Sequence, residues 1–248
     1  MRLQPAYHHD IATPSGPMRT HCFRAQVDRP LPAVILYSEI YQMTGPIART
    51  AAMLAGQGYL VVVPEVYHEY AELGEAFAYD QAGTDRGNQL KTTKTIAAFD
   101  ADARAAIDFL KSSSDCNGRL ATMGICLGGH LAFRAAMNPE VSAGICLYAT
   151  DIHKRSLGAG MCDNTLDRIP ELKAEMLMVW GRQDPHISND GRRLIYDALT
   201  TADVSFNWHE FNGQHAFMRD EGHRYDPAVA HLVYSLIYQH LHQTLCVA

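Results

Sequence analysis

The sequence predicts an α/β fold in which helices cover both faces of a mostly parallel central β-sheet. Short apolar runs alternate with helical patterns along the chain. Most of these runs are continuously apolar, as in AVILYS (33–38) and YLVVVPEV (59–66), which is typical of strands buried on both faces. With 248 residues, 47% of them hydrophobic, the chain can bury one large core, and we expect a single domain over residues 1–248.

The alternation extends to the end of the chain. The segment PIARTAAMLAGQG (46–58) predicts a helix ended by glycine, and apolar residues at a period near 3.6 predict a second helix around 94–111. The other predicted elements are strands at 119–125, 142–149, 175–181 and 203–211, and helices after residue 126, near 189–199 and at about 227–244.

Two stretches, 67–93 and 150–173, interrupt this alternation. Both begin at the carboxyl end of a predicted strand, where open α/β sheets bind their ligands. We therefore expect these stretches to form the walls of a pocket rather than separate domains.

Composition argues against several classes of protein. The net charge of −6 and the pI of about 6.1 are unlike those of a nucleic-acid-binding protein, which would carry a basic face. The first residues, MRLQPAYHHD, lack the apolar segment of a signal peptide, and no apolar run approaches the length of a membrane span. We expect a cytoplasmic protein with no nucleic-acid or membrane partner, present as a monomer or small homo-oligomer.

The segment GICLGG (124–129) places Cys126 between a predicted strand and a predicted helix. Glycines on both sides of a sharp strand-to-helix turn are typical of a nucleophile elbow, here with cysteine in place of serine. The alternative is a buried cysteine in a glycine-rich turn, since free cysteine is among the most buried residue types. We interpret the other five cysteines (22, 116, 146, 162 and 246) as packing or surface residues.

A cysteine nucleophile needs a base, and the base needs a group that orients it. Asp184 follows the predicted strand at 175–181, and His215 follows the next predicted strand, which gives the order nucleophile, acid, histidine. Taken alone, Asp184 could be a turn or cap residue, and His215 is one of 13 histidines. Their order and loop placement together predict a Cys126–His215–Asp184 catalytic triad.

Five segments of the chain form one pattern: SEIYQ (38–42), VPEVY (63–67), GICLGGHLAF (124–133), GRQDP (181–185) and GQHAFMR (213–219). In these segments the chain resembles the dienelactone hydrolase family of α/β-hydrolases. The resemblance implies a single-domain α/β-hydrolase fold, the same triad, and a carboxylic ester hydrolase similar to carboxymethylenebutenolidase that needs no metal or organic cofactor.

The resemblance also assigns roles around the nucleophile. It implies that Glu39 contacts and restrains the resting thiol, and that the backbone N–H groups of Ile40 and Leu127 form the oxyanion hole. Without the resemblance, Glu39 would be interpreted as a solvated loop carboxylate.

Family members that act on dienelactone bind its carboxylate with two arginines. Arg219, four residues after His215, matches one of these arginines, and Arg86 is the nearest candidate for the other. Both could instead be surface arginines, because sequence does not show the geometry of a bidentate site.

Histidine-rich segments at 7–10 and 231–242 do not form a zinc motif, because His231, His240 and His242 lack the required spacing and carboxylate partner.

We expect a hydrolase that cleaves a small lactone or ester through a thioester intermediate. One alternative is a broad esterase for neutral aryl or alkyl esters. Another is an inactive scaffold that binds a small molecule or a partner.

Overall fold

A computed structural model describes residues 1–246 of the chain, and its centre is one eight-stranded sheet. The order of strands across the sheet is β1-β2-β4-β3-β5-β6-β7-β8. The strands are β1 (Tyr7–Thr13), β2 (Gly16–Phe23), β3 (Leu31–Tyr37), β4 (Leu60–Pro64), β5 (Cys116–Ile125), β6 (Val141–Leu147), β7 (Glu175–Gly181) and β8 (Phe206–Phe211).

All pairings from β4 through β3, β5, β6 and β7 to β8 are parallel, which confirms the predicted mostly parallel sheet. β1 and β2 form an antiparallel hairpin that joins β4 at one edge, and this hairpin was not predicted. The outer strand β1 is largely exposed, and β2 buries alternate side chains. Neither strand therefore shows the continuous apolar run by which the other strands were found.

Six α-helices accompany the sheet: α1 (Gly45–Gly56), α2 (Gln81–Thr93), α3 (Ile96–Ser112), α4 (Leu127–Ala135), α5 (Asn189–Thr201) and α6 (Pro227–Leu245). All except α2 were predicted, and a short 3-10 helix (Leu166–Glu171) lies within the second irregular stretch. Within residues 1–246, no helix combines the length and the hydropathy that crossing a membrane requires.

A buried ion cluster fixes the start of the 67–93 stretch to α3. The Nζ atom of Lys94 lies 2.6 Å from Oδ2 of Asp102 and 3.1 Å from Oε1 of Glu69. His68 contacts the other oxygen of Asp102 at 3.1 Å. Because a buried charge is stable only when it is paired, the cluster couples the position of this stretch to that of α3.

The turn between β5 and α4 is tight because backbone segments approach each other closely there. A Cβ atom on Gly128 would lie 2.2 Å from the carbonyl oxygen of Tyr37 and 2.4 Å from that of Ser38, at the end of β3. Cys126 occupies the apex with φ of 60° and ψ of −119°, a strained conformation for a residue with a side chain. The backbone geometry is that of the predicted elbow.

We expect Gly128→Ala to destabilise the protein, because the new methyl group would collide with backbone that cannot move independently of β3. Overpacking of this kind lowers the free energy of unfolding by about 3 kcal/mol. Urea denaturation of wild type and variant measures the difference.

Gly56→Ala is the matched control, since the end of α1 offers open space around Gly56. Its free energy of unfolding should stay unchanged or rise by about 0.4–1 kcal/mol. Equal losses in both variants would contradict the close approach at Gly128.

Candidate active site

The three residues of the predicted triad lie at the carboxyl edge of the parallel sheet. Cys126 follows β5, Asp184 follows β7 and His215 follows β8. Nδ1 of His215 lies 2.6 Å from Oδ2 of Asp184, and both residues are buried. The other oxygen of Asp184 accepts a hydrogen bond of 2.8 Å from the backbone N–H of His186. These two contacts fix the orientation of the carboxylate and of the imidazole.

The ionisation of His215 depends on its two neighbours. Burial alone lowers the pKa of His215, because it disfavours the imidazolium. Interaction with the Cys126 sulfur and the hydrogen bond to Asp184 outweigh burial and raise the pKa of His215 to about 10. The arrangement therefore favours the imidazolium form of His215, which lies between the Cys126 sulfur and the Asp184 carboxylate.

Cys126 and His215 open onto a cleft of about 350 Å3. Four residues of α2 form one wall, whereas of the 150–173 stretch only Thr150 lines it. The expectation that both irregular stretches form walls therefore applies mainly to the first. A larger open groove of about 790 Å3 lies between β1 and α3, but Cys126, Asp184 and His215 do not line it. The cleft is lined by Glu39, Ile40, Tyr41, Gln81, Thr84, Asn88, Lys91, Cys126, Thr150, His186, His215, Ala216, Arg219, His223 and Arg224.

Glu39 lines this cleft but is only 3% exposed, so it is not a solvated loop carboxylate. Its Oε2 atom accepts a hydrogen bond of 3.1 Å from the hydroxyl of Tyr79, and its Oε1 atom lies 3.6 Å from Nη1 of Arg219. Burial raises the pKa of Glu39, although Arg219, His215 and Tyr79 each oppose the rise. Cys126 lines the same cleft, and a buried acid with a raised pKa is typical of functional sites.

One residue predicted to supply an oxyanion donor directly follows the nucleophile, and the other lines the same cleft. Ile40 lines the cleft directly after Glu39, and Leu127 is the first residue of α4, where backbone N–H groups have no partner within the helix. The N–H group of Cys126 itself donates to the carbonyl of Leu147 at 3.0 Å.

The two predicted substrate-binding arginines have different positions. Arg219 lines the cleft, with its guanidinium 4.3 Å from the centre of the Tyr79 ring. Arg86 is exposed, donates to the carbonyl of Tyr70 at 2.7 Å and is not among the residues that line the cleft. Two other cations do line it, Lys91 and Arg224, and sequence reasoning missed both. The one signal for Lys91 in the sequence was its position in the 67–93 stretch, which was predicted to form a wall of the pocket.

The histidines of the 7–10 and 231–242 segments and the other five cysteines do not line this cleft. His240 is buried and contacts the carbonyl of Glu175, whereas His231 and His242 are exposed on α6. Within the described residues, the single group of side chains with metal-ligand spacing is His68, Glu69 and Asp102. The Lys94 ammonium already lies among them.

Comparison with known proteins identifies the family of this chain. The sequence model described as "Dienelactone hydrolase family" matches residues 18–245. The chain belongs to the dienelactone hydrolase family. This confirms the predicted resemblance, the α/β-hydrolase fold and the prediction of an enzyme that hydrolyses carboxylic esters or lactones.

Individual relatives cover most of the chain. A Saccharomyces cerevisiae protein named "Putative carboxymethylenebutenolidase" is 38% identical over 96% of this chain and 91% of its own length. The "Carboxymethylenebutenolidase" of Pseudomonas putida is 27% identical over 86% of this chain and 87% of its own length. A solved structure named "Putative Dienelactone Hydrolase", from Klebsiella pneumoniae, has the same fold, with a TM-score of 0.85 at 22% identity over 98% of this chain and 100% of that one.

Asp184→Asn tests the orientation of His215. The amide removes the anion that stabilises the imidazolium, so the pKa of His215 should fall and less thiolate should be present at neutral pH. We expect kcat/KM for an activated ester to fall about 100-fold or more, the range typical of an impaired general acid–base group. The alkylation of Cys126 at pH 7 should slow in parallel.

Asp10→Asn is the control, because Asp10 is an exposed carboxylate on β1 that pairs with Arg19 of β2, away from the cleft. It should leave both rates unchanged. Wild-type kinetics in Asp184→Asn would remove Asp184 from the reaction.

Proposed function

We propose that this protein hydrolyses a small lactone or ester that carries a carboxylate, using Cys126 as the nucleophile, His215 as the base and Asp184 as its orienting group. The observation that carries the proposal is the buried His215–Asp184 pair beside Cys126 in a cleft that Arg219 also lines. The names of the relatives from Saccharomyces cerevisiae and Pseudomonas putida support the same substrate class.

The proposed reaction begins with the Cys126 thiolate, paired with the His215 imidazolium. The sulfur attacks the carbonyl carbon, and the carbonyl oxygen becomes an oxyanion that accepts hydrogen bonds from the N–H groups of Ile40 and Leu127. Donors fixed in advance favour this state over the neutral carbonyl. Collapse breaks the carbon–oxygen bond, and His215 transfers its proton to the departing alkoxide.

This leaves a thioester on Cys126. His215, now neutral, takes a proton from a water molecule that attacks the thioester carbonyl, and the same oxyanion donors stabilise the second tetrahedral state. Expulsion of the thiolate releases the carboxylic acid product and restores the starting ion pair. For a lactone, the hydroxyl and the acid remain within one product molecule.

The charge of the cleft supports an anionic substrate. Lys91, Arg219 and Arg224 line it, whereas Glu39 is the one carboxylate in its lining. A guanidinium binds a carboxylate with two parallel hydrogen bonds, so it can orient as well as attract. Arg219 is the proposed carboxylate ligand because it lines the same cleft as Cys126. The role proposed by resemblance for Glu39 is to restrain the resting thiol until substrate binds.

Cys126→Ala should abolish ester hydrolysis and leave the thermal unfolding temperature close to that of wild type, because the side chain is small and partly exposed. In the wild-type protein, iodoacetamide should label Cys126 before Cys162 and Cys246, although these two are more exposed. Reactivity follows the thiolate fraction rather than exposure alone. Peptide mass spectrometry of samples quenched at successive labelling times measures the order in which the cysteines are alkylated.

Cys162→Ala is the matched control, since it removes an exposed thiol from the 150–173 stretch. It should retain full turnover. Full activity in Cys126→Ala would overturn the proposed nucleophile.

Arg219→Ala separates an anionic substrate from a neutral one. A hydrogen bond to a charged group contributes about 1.5–3 kcal/mol, and about 1.4 kcal/mol corresponds to a tenfold change in rate or affinity. We therefore expect kcat/KM for a carboxylate-bearing lactone to fall about 10- to 100-fold, and kcat/KM for a neutral ester of similar size to fall far less.

Arg86→Ala is the control arginine, because Arg86 does not line the cleft. It should change kcat/KM for both substrates by less than about twofold. Equal losses on the anionic and neutral substrates in Arg219→Ala would favour the broad esterase instead.

A further inference from the structure

Two hydroxyl groups connect Glu39 to the start of α1. The hydroxyl of Tyr79 lies 3.1 Å from Oε2 of Glu39 and 2.7 Å from Oγ1 of Thr44. Glu39 and Thr44 are both buried, and Tyr79 is half-buried in the 67–93 stretch. The three side chains therefore form a chain of hydrogen bonds from the helix to the wall of the cleft.

The direction of these hydrogen bonds follows from the number of protons. Burial and the neighbouring Glu39 raise the pKa of Tyr79, so its hydroxyl stays protonated. A carboxylate only accepts hydrogen bonds, and a phenol has one proton to donate. While Glu39 is ionised, Tyr79 must therefore donate to Glu39, and Thr44 must donate to the oxygen of Tyr79.

The position of Thr44 makes this second bond notable. Thr44 is the N-cap residue of α1, where a threonine hydroxyl normally accepts a hydrogen bond from the first turn of the helix. Here the side chain makes no cap hydrogen bond. Its hydroxyl instead contacts the hydroxyl of Tyr79. A side chain suited to capping the helix is therefore used to hold the residue that hydrogen-bonds Glu39.

The ring of Tyr79 has a second contact in the same site. The Arg219 guanidinium lies 4.3 Å from the ring centre, within the range of a cation–π interaction. Tyr79 thus contacts the carboxylate through its hydroxyl and the guanidinium through its ring. One side chain sets the spacing of the two opposite charges, whose nearest atoms are 3.6 Å apart.

We propose that Thr44 and Tyr79 are positioning residues that keep Glu39 ionised at the wall of the Cys126 cleft. The inference rests on the proposed function, because it concerns the carboxylate that lines the same cleft as the proposed nucleophile. Neither residue needs to contact substrate. Their effect is to oppose the loss of charge that burial of Glu39 would otherwise cause.

Several charged or titratable groups act on Glu39 from the surrounding elements. Arg219, His215 and Arg224 lie after β8, Tyr79 precedes α2, and Tyr148 follows β6. Cys126 lines the same cleft. The cations and the Tyr79 hydroxyl lower the pKa of Glu39, whereas burial raises it. Removing the hydroxyl must therefore move the pKa of Glu39 upward.

The test measures the rate of iodoacetamide alkylation at Cys126 from pH 4 to pH 9 by peptide mass spectrometry, in the full-length protein. An inflection in the curve of alkylation rate against pH that is present in wild type and absent in Glu39→Gln reports the ionisation of Glu39. In Tyr79→Phe, which keeps the ring beside Arg219, this inflection should move to higher pH by about one unit, the size expected for a lost charge-assisted hydrogen bond.

Thr44 provides a graded variant pair. Thr44→Val removes the hydroxyl and keeps the shape, so the inflection should move in the same direction by a smaller amount. Thr44→Ser keeps the donor and should restore the wild-type profile. A merely structural role of Thr44 would not distinguish serine from valine in a pH profile.

Tyr234→Phe is the matched control, because Tyr234 pairs at 3.0 Å with Thr50, a second threonine of α1, and does not line the cleft. Its inflection should remain at the wild-type pH. The shift in Tyr79→Phe should also vanish in the Glu39→Gln background, since the two changes act on one group.

An unmoved inflection in Tyr79→Phe, a shift that persists in the Glu39→Gln background, or identical profiles of wild type and Glu39→Gln would each overturn the inference. Alkylation requires only a reactive thiol and no turnover. Failure of the proposed function, which Cys126→Ala tests by hydrolysis, is therefore distinguishable from failure of this inference.

Discussion

The backbone contact between the turn after β5 and the end of β3 determines the geometry of the whole site. Gly128 lies so close to the carbonyls of Tyr37 and Ser38 that any side chain would prevent the approach. This approach turns the chain sharply, and Cys126 is left at the apex with a positive φ. The same contact brings the Glu39–Ile40 segment, which continues from β3, beside the first turn of α4.

The site contains two buried carboxylates in different environments. Asp184 accepts one hydrogen bond from His215 and one from the backbone, so its charge is directly compensated. Glu39 has one phenol hydroxyl at 3.1 Å and a guanidinium only at 3.6 Å, and burial raises its pKa. Groups with such different surroundings can take different roles in proton transfer. Asp184 is suited to orient the His215 ring, whereas the ionisation of Glu39 depends on the groups that surround it in the cleft.

Sequence reasoning succeeded where a physical signal was local and strong. The buried parallel strands are continuous apolar runs, and the elbow glycines mark the turn at Cys126. Asp184 and His215 could be predicted because a strand end precedes each of them and the order of strand ends constrains which loops meet. The burial of Glu39 could not be predicted, because it depends on how the 67–93 stretch packs over it.

The elements that were missed lack the signals on which the reasoning relied. The β1–β2 hairpin is an exposed edge with polar residues, and α2 has no apolar stripe. Tyr79 and Lys91 reach the site through the packing of the 67–93 stretch, whereas Arg224 reaches it from the segment after β8. No motif marks any of the three residues. The correct prediction was that residues 67–93 form a wall, which follows from where the stretch leaves the sheet.

The packing of α2 connects the cleft wall to the predicted oxyanion segment. Its buried face includes Gly87, where a Cβ atom would lie 2.4 Å from the carbonyl oxygen of Ile40. Thr84 of the same helix hydrogen-bonds Tyr41 at 2.9 Å. A polar helix can pack this closely only through small residues, so its glycines replace the apolar stripe of an ordinary surface helix.

Another side of α2 carries polar residues that line the cleft. Thr84, Asn88 and Lys91 line the cleft, and Lys91 pairs with Asp151 at 2.9 Å, which ties the helix to the start of the 150–173 stretch. The backbone of α2 thus holds the Ile40 segment in place, while its polar side chains face the space for substrate. Substitutions on the polar face can alter which substrate binds, whereas substitutions at Gly87 would disturb the segment predicted to stabilise the oxyanion. In the proposed mechanism, the polar side of α2 would take part in substrate selection, and its glycine side would position the segment that stabilises the oxyanion.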